Sequence, residues 1–268
     1  MPILESPADG TPLRYDISGD GPPLVLLHGS VLTRAIWRGL GYLGTLSDIR
    51  TVIRMDLRGH GSSGTPHDPA AYTQERFLAD LFAVLDHLGY EAADLMGYSL
   101  GARIALTAAV RQPQRVTRLV SLGGTPAAQA GALDRVFFPG VIDTVREHGM
   151  DEFCTRQGLG ADVADQRARA TRAVFMTADP LAIAAMFTAT DCTGAIPDEE
   201  LAECEVPALW MAGTEDEPRC AQSRAAAAVM PHARFVPLPG RGHGDTLAPS
   251  APILDEVLPF LTGGGTTA

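Results

Sequence analysis

The apolar positions along the chain follow two rhythms. Short, largely apolar runs recur at Leu24–Leu27, Thr51–Met55, Ala93–Gly97, Val116–Leu122 and Ala208–Ala212. Runs of this length without alternation read as strands buried on both faces, as in a parallel sheet covered by helices. Between them the spacing changes to three and four. Phe77, Leu81, Val84, Leu85 and Leu88 mark a helix over Gln74–Leu88, and Leu100–Arg111 is a second that stops before Pro113. Helices are also expected over Arg34–Leu46, Arg219–Met230 and from about Ser250 to Leu261, with further strands at Leu13–Ile17 and Arg234–Pro237. Strand alternating with helix predicts an α/β domain with a mostly parallel central sheet flanked by helices.

The rhythm breaks at Gly123-Gly124-Thr125-Pro126 and resumes at Val206-Pro207. The stretch between is helical, Ala-rich and irregular. The simplest account is one core, residues 1–124 and 206–262, with an inserted helical cap over 125–205; residues 263–268 read as a flexible tail.

Length adds that 268 residues suffice for one large domain with a substantial core. No apolar run approaches the ~18–20 residues of a membrane span, and the N-terminus lacks the basic start and apolar stretch of a secretory signal. The expectation is a cytoplasmic protein. The formal net charge is −11, and all 21 basic residues are arginine. An acidic chain has no field to draw in nucleic acid or an anionic membrane, so neither is expected as a partner. The four cysteines (Cys154, Cys192, Cys204 and Cys220) are scattered and read as free thiols. No metal-ligand spacing or phosphate-binding loop is present, so neither metal nor cofactor is expected.

The candidate chemistry begins at Gly97-Tyr98-Ser99-Leu100-Gly101, between an expected strand and an expected helix. A serine on so sharp a turn has strained backbone angles, and its neighbours two residues away must lack clashing side chains. The turn lifts the hydroxyl above the sheet, and the helix start aims backbone N–H groups at developing negative charge. Such a serine needs a base. Of the seven histidines, His243 lies in the Gly-rich loop Pro239–Gly244, between the last strand and the last helix. His28 and His60 lie in tight Gly-rich turns and read as structural. Asp216, three residues beyond the strand that ends at Gly213, is the candidate acid, with Glu215 and Glu217 as local rivals. The order Ser, Asp, His suits the triad geometry. The oxyanion donors should be the N–H groups of Leu100 and of Ser30, with Val31 as the alternative to Ser30.

With these residues in view the chain resembles the α/β-hydrolase family over nearly its whole length. The resemblance is carried by Leu26-Leu27-His28-Gly29, Asp56-Leu57-Arg58-Gly59-His60-Gly61-Ser62-Ser63, Gly97–Gly101, Gly213–Asp216 and Gly242-His243. The first half is similar to serine esterases and enol-lactonases. That resemblance implies an α/β-hydrolase fold and hydrolysis of a carboxylic ester or lactone without a cofactor. Carbon–carbon hydrolysis, thioester hydrolysis and acyl transfer use the same fold, and a ligand-binding receptor could keep the fold without turnover. Ser99 in place of an aspartate separates the chain from haloalkane dehalogenases and epoxide hydrolases. Gly244 stands where related carbon–carbon hydrolases usually carry tryptophan.

Within 125–205 the large apolar residues exceed what so small an insertion can bury internally. Phe138, Phe175, Met176, Met186 and Phe187 are therefore the candidate pocket roof. Such a roof suits a neutral or apolar acyl ester or lactone of small to medium size.

Overall fold

The computed structural model describes residues 3–263, so the expected tail from 264 onward lies outside the described residues. The strands are β1 (Ile3–Glu5), β2 (Pro12–Ser18), β3 (Pro23–Leu27), β4 (Thr51–Asp56), β5 (Ala93–Tyr98), β6 (Val116–Leu122), β7 (Ala208–Gly213) and β8 (Ala233–Leu238). They form one sheet in the order β1-β2-β4-β3-β5-β6-β7-β8. β1 and β2 pair antiparallel at one edge, and all other neighbours are parallel. β1, three residues at the edge, has no counterpart in the sequence reading.

The chain runs from β3 to β4 in one direction, then crosses back over β3 to place β5 on its other side. At such a reversal the loops leaving the carboxyl ends of β3 and β5 splay apart and open a crevice.

Eleven helices complete the described chain: α1 (Ala35–Gly39), α2 (Tyr42–Ser47), α3 (Gln74–His87), α4 (Leu100–Arg111), α5 (Ala132–Val136), α6 (Val141–Arg156), α7 (Gln166–Phe175), α8 (Pro180–Asp191), α9 (Asp198–Ala202), α10 (Arg219–Val229) and α11 (Ala251–Thr262). The single helix expected over Arg34–Leu46 is two short ones, because Gly41 between them takes φ +85°. A helix cannot pass through that left-handed conformation, which glycine adopts at little cost.

Successive strand residues face opposite sides of the sheet, and each side has its own core. Leu24, Leu26, Met96, Val120 and Met211 pack with Trp37, Tyr42 and the α11 residues Ile253, Val257 and Leu261. Val25, Leu27, Leu95 and Leu119 pack against α3 and α4 on the other side, in a cluster that continues into α6 and α8. Helices α5 to α9 all lie between β6 and β7 in the chain, within residues 125–205. Among the described residues, no single helix is long and apolar enough to cross a membrane.

Candidate active site

The turn at Ser99 joins β5 directly to α4. Ser99 has φ +52° and ψ −112°, a conformation costing a non-glycine residue on the order of 1–3 kcal/mol. Neighbouring bonds hold it there. The Ser99 N–H donates to Leu122 O at 3.0 Å, and Ser99 O accepts from the Arg103 N–H at 3.0 Å. The flanking glycines are steric requirements. A Cβ on Gly97 would lie 2.2 Å from Gly101 O, and one on Gly101 would lie 2.1 Å from Leu27 O.

His243 sits in the loop after β8, and its Nε2 lies 2.9 Å from Ser99 Oγ. Its Nδ1 lies 2.7 Å from Asp216 Oδ2. A carboxylate only accepts, so Nδ1 carries the proton and Nε2 is left to accept from the serine hydroxyl. The loops bearing Asp216 and His243 are locked together. Glu215 N–H donates to Arg241 O at 3.0 Å, and the Arg241 guanidinium donates to Thr246 O and Pro249 O, both at 2.9 Å. Tyr98 stacks on the His243 ring at 5.4 Å, and its hydroxyl donates to His243 O at 2.8 Å. Burial pulls the His243 pKa below its ordinary value, helped by the nearby Arg219 cation and opposed by the bond to Asp216. The imidazole is thereby kept neutral and able to accept a proton.

After β3 the chain turns through Gly29-Ser30-Val31, where Val31 takes φ +63°, costly for a β-branched residue. The turn is held from below by two buried histidines. His60 Nε2 accepts from the Val31 N–H at 3.1 Å, and His28 Nε2 accepts from the Leu57 N–H at 3.1 Å. Each ring donates its Nδ1 proton to a backbone carbonyl, Arg58 O for His60 and Gly29 O for His28. Burial lowers the His28 pKa to about 4 and that of His60 to about 3, so both are neutral. The Val31 N–H is therefore already spent. The N–H groups of Ser30 and Leu100 have no acceptor among the described residues.

Ser30, Ser99 and His243 share the floor of a cavity of about 610 Å³. Its walls come from α1 and the segment after it (Ile36, Leu40), from α7 (Val174, Phe175), and from Leu133 and Phe137. Of the five roof candidates only Phe175 lines it. Met186 and Phe187 are wholly buried, because α8 is apolar on nearly every side and lies between α6 and the turn at Pro69–Tyr72. Phe138 packs on Phe153, with the Arg156 guanidinium over its ring, while the adjacent Phe137 takes the cavity position. Met176 lies just past the end of α7 and is exposed.

Tyr98 and Arg219 also border this space and were not singled out from the sequence. Tyr98 occupies the variable second place of the elbow pentapeptide, and Arg219 looks like an ordinary charged helix start.

A sheet that reverses at β3 and β5, a strained serine at that reversal and a His–Asp pair beside it define a class of protein. Residues 22–177 match the family model described as alpha/beta hydrolase fold. The chain belongs to this family and is a hydrolase. It is 31% identical over 262 residues to the pimeloyl-[acyl-carrier protein] methyl ester esterase of Edwardsiella ictaluri, covering 90% of this chain and 93% of that protein. It is 36% identical over 179 residues to the 2-hydroxy-6-oxo-2,4-heptadienoate hydrolase of Pseudomonas putida, covering 64% of this chain and 62% of that one. The enol-lactonase of Burkholderia xenovorans LB400 superposes with a TM-score of 0.83 at 26% identity, over 97% of this chain and all 100% of that one.

Proposed function

We propose that the protein hydrolyses a carboxylic ester or lactone through a Ser99–His243–Asp216 triad and an acyl-enzyme intermediate. The observation that carries this reading is the continuous hydrogen-bonded line from Asp216 Oδ2 through His243 to Ser99 Oγ, at 2.7 and 2.9 Å, opening into the cavity.

In this reading Ser99 Oγ attacks the substrate carbonyl as its proton passes to His243 Nε2. Asp216 holds the ring in the right tautomer and stabilises the imidazolium that forms. The negative charge arising on the carbonyl oxygen is received by the free N–H groups of Leu100 and Ser30. One such donor is worth about 10²–10³ in rate. His243 returns the proton to the leaving alkoxide. It then deprotonates a water that attacks the acyl-enzyme and releases the acid. In a lactone the alkoxide stays tethered, and the product is a hydroxy acid or its tautomer. The apolar cavity walls favour a substrate with an apolar acyl body.

The test is turnover of an activated aryl ester, together with labelling by a phosphonate. We expect ester turnover and added mass on the peptide containing Ser99, with both lost in Ser99→Ala. A folded protein that binds esters without turning them over, or label on Ser62 or Ser63, contradicts the proposal. Matched esters, lactones, thioesters and carbon-linked ketones then rank the bond cleaved. Turnover of the ketone alone would favour carbon–carbon hydrolysis.

A further inference from the structure

Six arginines have buried side chains: Arg50, Arg54, Arg58, Arg103, Arg219 and Arg241. Three of them meet carboxylates, Arg50 with Asp94, Arg54 with Asp16 and Arg58 with Asp80. Arg241 donates to the two carbonyls named above. Arg103 donates to the carbonyls of Thr125, Ala127 and Gly194 and so ties down both ends of the inserted segment. Arg219 is different. It is 9% exposed, and among the described residues it forms no ion pair and a single long hydrogen bond, to Gly123 O at 3.5 Å. A buried cation so poorly compensated is costly to keep. It also opens α10, and the positive end of a helix is the end least favourable to a cation. Its pKa is lowered chiefly by burial, which outweighs the opposing pull of the Asp216 carboxylate, itself already engaged by His243.

Arg219 lines the same cavity as Ser99, Ser30 and His243. Two residues lining that cavity are arginines, Arg219 beside the triad and Arg167 on α7, and none is Asp or Glu. The protein as a whole carries a formal charge of −11, so the sign inside the cavity opposes the sign of the chain. Arg167 is mostly exposed and faces Asp245 at 3.4 Å, which leaves Arg219 as the cation inside.

Resting on the hydrolase reading of this site, we propose that the natural substrate carries a carboxylate in addition to its scissile ester or lactone, and that Arg219 receives that carboxylate. The guanidinium offers two parallel N–H donors to such a group, and its burial strengthens the pair. The apolar walls then hold the carbon skeleton between the two ends. This revises the neutral substrate expected when only the phenylalanines and methionines of the insertion were in view.

Two measurements test it. The first compares p-nitrophenyl monoesters of C5–C8 dicarboxylic acids with the same esters capped as methyl esters at the far carboxyl. Wild type should favour the free carboxylate at least tenfold in kcat/KM. Arg219→Gln should bring that ratio near one, mainly through KM for the charged ester, and Arg219→Lys should restore part of it. The second needs no turnover. Calorimetry on Ser99→Ala should find monomethyl esters of the same diacids binding at least tenfold tighter than the dimethyl esters. Adding Arg219→Gln should erase the difference. A capped ester that is bound and cleaved as well as the free acid, or a preference that survives Arg219→Gln and vanishes in Arg167→Gln, overturns the proposal. Charge-selective binding with no ester turnover would keep the anion site and reject the hydrolytic reading.

Discussion

In the proposed mechanism His243 works as a base only while it is neutral. Burial holds its pKa below the ordinary imidazole value of 6.5, so the neutral form persists into mildly acid solution. The acid limb of kcat/KM against pH should therefore have its midpoint below 6.5, the rate falling as pH drops through the depressed value. A midpoint at or above 6.5, from stopped-time assays with a substrate that does not itself titrate there, would show the base to be solvated or another group. Asp216→Asn should leave the fold in place, as judged by circular dichroism. It should cost about 10⁴ in kcat, because an amide facing Nδ1 favours the wrong tautomer.

The loops behave as elements with their own anchors, and the turn after β3 is the clearest case. His28 and His60 are buried, neutral hydrogen-bonding parts beneath it, with rings edge-to-face at 5.0 Å. In the unfolded chain both titrate near 6.5, whereas in the folded chain they do so only at about 4 and about 3. Below 6.5 the unfolded state thus binds more protons, and the stability these two groups contribute above 6.5 is lost as pH falls toward 4 and 3. Two protons give a slope of up to about 2.7 kcal/mol per pH unit. Urea midpoints should fall steadily from pH 7 to pH 5. A flat profile would mean that these rings are charged or open to water.

The same comparison of elements separates what the sequence displayed from what it did not. Helix α4 and strand β6 begin and end where periodicity and Pro113 place them, since local pattern and burial agree there. Ser99, His243 and Asp216 were legible because each needs a recognisable neighbourhood of glycines or strand ends, and the structure brings the three side chains within hydrogen-bonding distance. The pocket roof was not legible. Phe137 and Phe138 are adjacent in an irregular turn, and only packing decides which faces the cavity. For Met186 and Phe187, an all-apolar helix carries no sign of which face is a wall and which is core. Arg219 was missed because a charge at a helix start is commonplace; only the absence of a partner sets it apart.

At the scale of the molecule, the antiparallel edge is joined to the rest by a buried polar knot. Arg58, fully buried, meets Asp80 through two bonds of 2.7 Å, Asp9 at 2.8 Å and Ala71 O at 2.7 Å. It links the loop before β2, the segment after β4 and helix α3. Removing only the cation strands a buried carboxylate, and Arg58→Met should cost about 3–5 kcal/mol of stability. Chemical denaturation checks this, and a loss under about 1 kcal/mol would mean that Asp80 finds water instead.

The sheet order also fixes when the protein can become active. Ser30 follows β3, Ser99 follows β5, Asp216 follows β7 and His243 follows β8, so the four groups come from separate crossings of the molecule. The proposed base, His243, lies 144 residues from the proposed nucleophile, Ser99. Contacts so distant in sequence form late, after shorter loops have closed. Recovered turnover in a refolding chain therefore times the docking of the last strand. On the proposed mechanism, a chain released before β8 has been made holds Ser99 and the N–H groups of Ser30 and Leu100 yet should stay inert.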